Sequence, residues 1–205
     1  MGSTGPVDPR RWQTRMHLLF VLSVAVAHAA TNLDNLVILL AMAPVIGLGR
    51  ATFGVVVAQI IALGAAMTMG AVAADLAARW ASWLGLVPIV LGLHALWERW
   101  HGSGSETGGL RPSKSMGLTI LTFIGISTDS FAVMTAIFAD SLATFDLAAL
   151  AGALISITVI TIAALVLGGL AARAEEWSHR LDAVGPVAMI VVGLYILMDT
   201  PTDMS

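Results

Sequence analysis

Long apolar stretches separated by short polar connections dominate the chain. A helix needs about 20 predominantly apolar residues to cross the hydrocarbon core of a bilayer. An open strand edge would leave backbone groups there without partners, so the spanning elements must be helices. Six stretches qualify: 17–46, 51–78, 82–99, 116–139, 146–172 and 182–198. The pattern therefore predicts an all-α membrane protein with six transmembrane helices.

One connection, over residues 98–115, is clearly hydrophilic and rich in Gly and Ser. It separates a first three-helix unit, residues 1–100, from a second, residues 116–205. Residues 101–115 then form the connecting loop of a single integral membrane domain.

The two units resemble each other weakly in sequence. Residues 31–35 in the first span and 127–130 in the fourth both place an Asp among Thr, Asn or Ser ahead of an apolar run, and Gly92 and Gly193 occupy similar places in the third and sixth spans. Because each unit crosses the membrane three times, the units must lie in opposite orientation. We expect two inverted three-helix repeats, a plan common among secondary transporters.

The composition supports this architecture: 58% of residues are hydrophobic and only 11% are charged, too few for a water-facing surface. There is no cysteine, so any metal must be held by oxygen or imidazole. No basic stretch suggests nucleic acid as a partner. Three arginines before an apolar run could mark a signal peptide, but the apolar pattern resumes at Leu36, which favours a first membrane helix.

Two acids lie inside apolar spans. Asp34 and Asp129 have no basic residue within ten positions along the sequence. A carboxylate in the middle of a membrane costs several kcal/mol unless a cation, a proton or water offsets its charge, and such residues are usually functional. The alternative is a protonated or hydrated Asp with a structural role.

The neighbours of these acids can bind a cation. On a continuous helix Thr31, Asp34 and Asn35 would share one face. Ser127 and Ser130 surround Asp129, and hydroxyl or amide side chains of this kind can also open a helix. An oxygen-rich site suits manganese, calcium or magnesium better than soft metals.

Other polar residues are weaker candidates. Gln59, Ser156 and Thr128 could line a pathway, although a single Gln or Ser between helices often only joins them. We expect His28 to be satisfied locally and the methionines to serve in packing.

Three segments resemble known transporters. The sequence ATNLDNLVIL at 30–39 resembles the first-span motif of cadmium-resistance (CadD-type) transporters, and LGLVPIVLG at 84–92 resembles their third-span run. The segment DSFAV at 129–133 is similar to the Asp-containing segments of MntP-type manganese exporters. Both families belong to the lysine-exporter (LysE) superfamily of six-span, inverted-repeat proteins.

This resemblance implies export of a divalent cation across the bacterial cytoplasmic membrane by a multi-pass protein, driven by proton exchange. It makes Asp34 and Asp129 the metal ligands, with Asn35, Thr31, Ser127 and Ser130 as helpers. The fourth span reads GISTDS at 125–130, where CadD-type members have an Asn-Gly-x-Asp-Asn pattern. The resemblance therefore does not select cadmium.

We expect a secondary transporter of a divalent cation and protons in the lipid bilayer, without a cofactor and without enzymatic activity. The alternatives are an amino-acid exporter and, more remotely, an intramembrane aspartyl protease with two acids sharing a proton. A nucleotide-driven pump would need a phosphate-binding loop, which the sequence lacks. The sequence leaves open whether two copies form a homodimer.

Overall fold

The computed structural model describes residues 9–77, 81–101, 115–168 and 184–198. Its elements are the helices α1 Pro9–Ala30, α2 Leu33–Ile46, α3 Leu48–Ala77, a 3₁₀ helix Ala81–Gly85, α4 Leu86–Trp100, α5 Met116–Ile126, α6 Thr128–Asp140, α7 Ala143–Leu167 and α8 Val184–Leu197. The prediction of an all-α protein is therefore confirmed over the described residues. The predicted end of the fifth span, the start of the sixth and most of the connecting loop lie outside the described residues.

Two helices, α3 over Leu48–Asp75 and α7, are each long and apolar enough to cross a membrane. The pairs α1–α2 and α5–α6 also pass this test together, but each is bent, by 47° and 58° respectively. Helices α4 and α8 are shorter and apolar. The first and fourth predicted spans are thus each made of two helices rather than one.

Side chains that compete for backbone carbonyls mark both bends. The Thr31 hydroxyl lies 3.2 Å from the carbonyl oxygens of Ala27 and His28, and the Asn32 amide donates to the His28 carbonyl at 2.7 Å. In the second unit the Ser127 hydroxyl donates to the Phe123 carbonyl at 2.7 Å. The backbone N–H of Asn32 donates to the Ala29 carbonyl, and its side chain satisfies the His28 carbonyl instead. The Ala27 and Phe123 carbonyls also accept the backbone N–H groups of Thr31 and Ser127.

Helices α4 and α8 run antiparallel and approach closely through glycines. A Cβ added to Gly85 would lie 2.5 Å from the Gly193 carbonyl oxygen, and one added to Gly92 would lie 2.6 Å from the Pro186 carbonyl oxygen. As the chain advances from Gly85, the last residue of the 3₁₀ helix, to Gly92 on α4, the partner position on α8 retreats from 193 to 186. Small residues let the two backbones touch, as is common between membrane helices.

The long helices pair across the two units. Gly54 of α3 lies against Thr119 of α5, and Gly70 of α3 lies against Phe138 of α6. The contacts follow the same order along the two segments, so α3 runs parallel to the α5–α6 pair. Helix α7 runs parallel to α1: its Phe145 packs on Phe20, and Gly152, seven residues on, packs on Val24. Each unit therefore contributes its long helix to the bent pair of the other.

Large apolar side chains cover much of the outside of the described bundle. On α7 alone Leu147, Ile155, Val159 and Val166 are exposed. Such a surface would be unfavourable in water but matches lipid tails. The exposed apolar faces support the reading of the chain as a membrane protein.

Candidate functional site

The two acids occupy matching positions. Asp34 is the second residue of α2 and Asp129 the second residue of α6, and each directly follows a bend. Each carboxylate accepts a hydrogen bond from the backbone N–H of the next residue, Asn35 at 2.7 Å and Ser130 at 2.8 Å. Both acids are half-buried. A negative charge is favourable in the first turn of a helix, where N–H groups are unpaired.

The two bends touch each other. The Asn35 amide donates to the Ser127 hydroxyl at 3.2 Å. The Ser130 hydroxyl contacts both the hydroxyl and the backbone carbonyl of Thr31, each at 3.1 Å. The structure therefore brings together all four residues that the sequence analysis placed beside the acids, from segments about a hundred positions apart.

Asn32 is the centre of this contact. Its Oδ1 accepts a hydrogen bond from the Asn35 amide at 2.7 Å and another from the Gln59 amide of α3. Gln59 also donates to the Ser127 hydroxyl at 3.0 Å. Gln59 is only 3% exposed, and Asn32, Asn35 and Ser127 are buried still more completely. A continuous buried network thus joins α3 to both bends.

His28 extends the network to α7. Its Nδ1 lies 3.1 Å from the Ser156 hydroxyl and 3.4 Å from the Asn32 amide nitrogen. Because an amide nitrogen can only donate, this contact matches the tautomer in which Nδ1 accepts and Nε2 carries the proton. The expectation that His28 is satisfied locally is incomplete, since Ser156 is 128 positions away. We call the set His28, Thr31, Asn32, Asn35, Gln59, Ser127, Ser130 and Ser156 the polar network.

Two predicted side-chain placements differ from those in the structure. Thr31, Asp34 and Asn35 do not share one continuous helical face, because α1 ends at Ala30 and α2 begins at Leu33. Thr128 is exposed, and its hydroxyl donates to the Gly125 carbonyl of its own segment at 2.9 Å. Thr128 therefore lies outside the polar network, whereas Gln59 and Ser156 lie within it.

The sequence analysis missed Asn32 and His28 as members of the site. Neither carries a full charge, so neither stands out in an apolar span as the acids beside them do. His28, Asn32 and Asn35 follow one another at spacings of four and three, the pattern of one helical face. That polar stripe within an apolar span was the available signal.

Narrow cavities flank the polar network. One, of about 10 Å³, is lined by polar and apolar side chains: His28, Asn32, Asn35, Val55, Gln59, Ile157, Ile160 and Thr161. A second crevice, too narrow for a water molecule, is lined by His28, Gln59 and Ser130 together with apolar residues that include Met134. About 10–15 Å³ is the space that one water molecule requires. The first cavity is therefore close to the size of a single water or a dehydrated ion.

The atoms at the site that could coordinate a cation are mainly oxygens from carboxylates, amides and hydroxyls. Within the described ranges no group of three or more His, Cys, Asp or Glu side chains is arranged to hold a metal. Any cation here would therefore need neutral oxygens in addition to the two carboxylates. Such ligand sets favour hard cations.

Comparisons of the chain with protein-family models, characterised proteins and solved structures give no match.

Proposed function

We propose that the protein is a secondary transporter that exports a divalent cation of the manganese, calcium or cadmium class across the bacterial cytoplasmic membrane in exchange for protons. One observation carries the proposal. Two acid-bearing bends, each with its Asp in the first turn of the following helix, meet in a buried polar network inside an apolar bundle. Asp34 and Asp129 would supply the negative charge that balances the cation.

The arrangement of helices supports six spans in two inverted repeats. The acids and the bends recur in corresponding positions of the two units, and α3 and α7 follow their bent pairs in the same order. The equivalent helices α4 and α8 run antiparallel, as opposite orientation of the units requires. Transporters built in this way bind their substrates at interrupted helices near the membrane midplane.

Electrostatics supports coupling to protons. Two carboxylates in surroundings of low dielectric constant repel each other when no cation is present, and uptake of a proton relieves that repulsion. Binding of a divalent cation would displace the proton, so that the two ions move in opposite directions. The bends between Ala30 and Leu33 and at Ser127 would act as hinges while access alternates between the two sides.

The test is cation transport in proteoliposomes that contain the full-length chain. Asp34→Asn and Asp129→Asn should each abolish manganese transport, because the remaining carboxylate balances only half of the charge. Asp75→Asn is the matched control, since Asp75 is an exposed acid on α3. Asp75→Asn should transport at the wild-type rate. Undiminished manganese transport by both site variants, at equal protein levels, refutes the proposal.

The same vesicles test the amino-acid alternative. A cavity of about 10 Å³ beside the network offers no room for an amino acid in this conformation. We expect lysine gradients to be unaffected by the protein. Lysine transport that stops in Asp34→Asn would favour the alternative instead.

A further inference from the structure

Two buried oxygens at the centre of the polar network have no hydrogen-bond donor within the described part of the chain. They are the amide carbonyl oxygens of Asn35 and Gln59. Asn35 is 0% exposed and Gln59 is 3% exposed. Leaving a buried acceptor unpaired costs about 1–3 kcal/mol, so such an atom usually has a partner or a function.

Hydrogen bonds fix the orientation of both amides. Each turns its nitrogen toward the same two acceptors, the Asn32 Oδ1 and the Ser127 hydroxyl. Rotating either amide by half a turn would place its oxygen against the Asn32 oxygen, and neither atom could donate. The Asn35 and Gln59 carbonyl oxygens are therefore held as acceptors that the network itself cannot satisfy.

Both side chains line the same cavity of about 10 Å³. The guest that fits must be small, about the size of one water, and must offer positive charge or donors to two carbonyl oxygens. A fully hydrated cation is too large for this space. Apolar atoms make up nearly all of the surface that lines this cavity, so a guest would depend on these two oxygens for its polar contacts. A cation that has lost water matches the size of the space.

We propose that the carbonyl oxygens of Gln59 and Asn35 bind the transported cation directly, once it has shed water, between the bends that carry the two acids. This proposal rests on the proposed function and identifies Gln59 of α3 as a substrate ligand. It also narrows the substrate class. Magnesium dehydrates reluctantly and keeps several waters, whereas calcium and manganese accept more protein ligands. The site therefore selects manganese or calcium over magnesium.

The experiment measures cation affinity by isothermal titration of the purified full-length chain in nanodiscs. Wild-type protein should bind manganese more tightly than magnesium. Gln59→Leu removes the carbonyl oxygen and should weaken manganese binding about tenfold or more, since even indirect changes around a metal cost about 10–100-fold. Gln59→Met keeps the length of the side chain but offers sulfur, so cadmium binding should fall less than manganese binding.

Thr52→Val is the matched control. Thr52 is a buried residue of α3 whose hydroxyl also lacks a partner among the described residues, but it lines neither cavity. Its replacement should leave the manganese affinity unchanged. The control separates the removal of an unpaired buried atom in general from the removal of a ligand.

The outcomes are distinguishable. If Gln59 only holds a structural water, manganese affinity will be unchanged in Gln59→Leu, or manganese and cadmium will weaken by the same factor in Gln59→Met. Either result overturns this inference. If wild-type protein binds no divalent cation at all, the proposed function fails as well. If Gln59→Leu does not fold, the comparison of manganese with cadmium in Gln59→Met decides alone.

Discussion

Replacing Asn32 by Ala tests whether the polar network stabilises the bundle. Besides its longer contact with the His28 Nδ1 at 3.4 Å, Asn32 makes three short side-chain bonds: it accepts from the amides of Asn35 and Gln59, and it donates to the His28 carbonyl. The substitution removes all three at once. Because Ala is smaller, no atom replaces the lost oxygen.

The expected cost follows from these bonds. A hydrogen bond between membrane helices contributes about 0.6 kcal/mol on average and about 1.7 kcal/mol at most. Three bonds therefore give about 2 kcal/mol, with about 5 kcal/mol as the upper limit. Asn35 and Gln59 each retain a bond to the Ser127 hydroxyl. We therefore expect Asn32→Ala to lower the free energy of unfolding by about 2 kcal/mol.

The measurement is denaturant unfolding of the full-length chain in mixed micelles. Thr158→Ala is the control, because the Thr158 hydroxyl is exposed and donates only within its own helix, to the Leu154 carbonyl. Its unfolding free energy should change by less than about 0.5 kcal/mol, as is usual for surface substitutions. If Asn32→Ala costs no more than Thr158→Ala, the network does not hold the bends together.

Two further predictions use paired variants. Ser127→Ala should weaken manganese binding about tenfold in isothermal titration, because the Ser127 hydroxyl helps to orient the Asn35 and Gln59 amides. Thr128→Ala should leave the manganese affinity unchanged. An equal loss of affinity in both variants would contradict this role of Ser127. Gly85→Ala should lower the unfolding free energy by about 1–3 kcal/mol through overpacking, whereas Gly64→Ala, with open space around it, should raise it by about 0.5–1 kcal/mol through helix propensity. Shifts of the same sign in micelle unfolding would refute the close packing of α4 on α8.

The helical elements could be predicted from the sequence because the bilayer imposes one dominant requirement. Any apolar stretch of sufficient length must satisfy its backbone internally, and a helix does so. The second predicted span, 51–78, corresponds to α3 at Leu48–Ala77. The boundaries differ by a few residues because helix ends depend on capping contacts as well as on hydropathy.

The bends could be suspected but not placed from the sequence. Thr, Asn and Ser fit within a helix and also cap one, so the local sequence permits both outcomes. A tertiary contact accompanies the observed outcome: the Ser130 hydroxyl reaches the Thr31 carbonyl across 99 positions. The importance of Asn32 was hidden for the same reason, because its partner Gln59 lies on another helix.

Each long helix packs on the bent pair of the other unit, and this has a consequence for biogenesis. The main partners of α3 are α5 and α6, those of α1 lie on α7, and α4 packs on α8. When a ribosome has delivered α1 to α4, the main neighbours of these helices have therefore not yet been synthesised. These segments must wait in lipid, individually stable but not docked, until the later ones enter. Insertion and assembly of this protein are thus separate stages, and the second cannot finish before α8 has been synthesised.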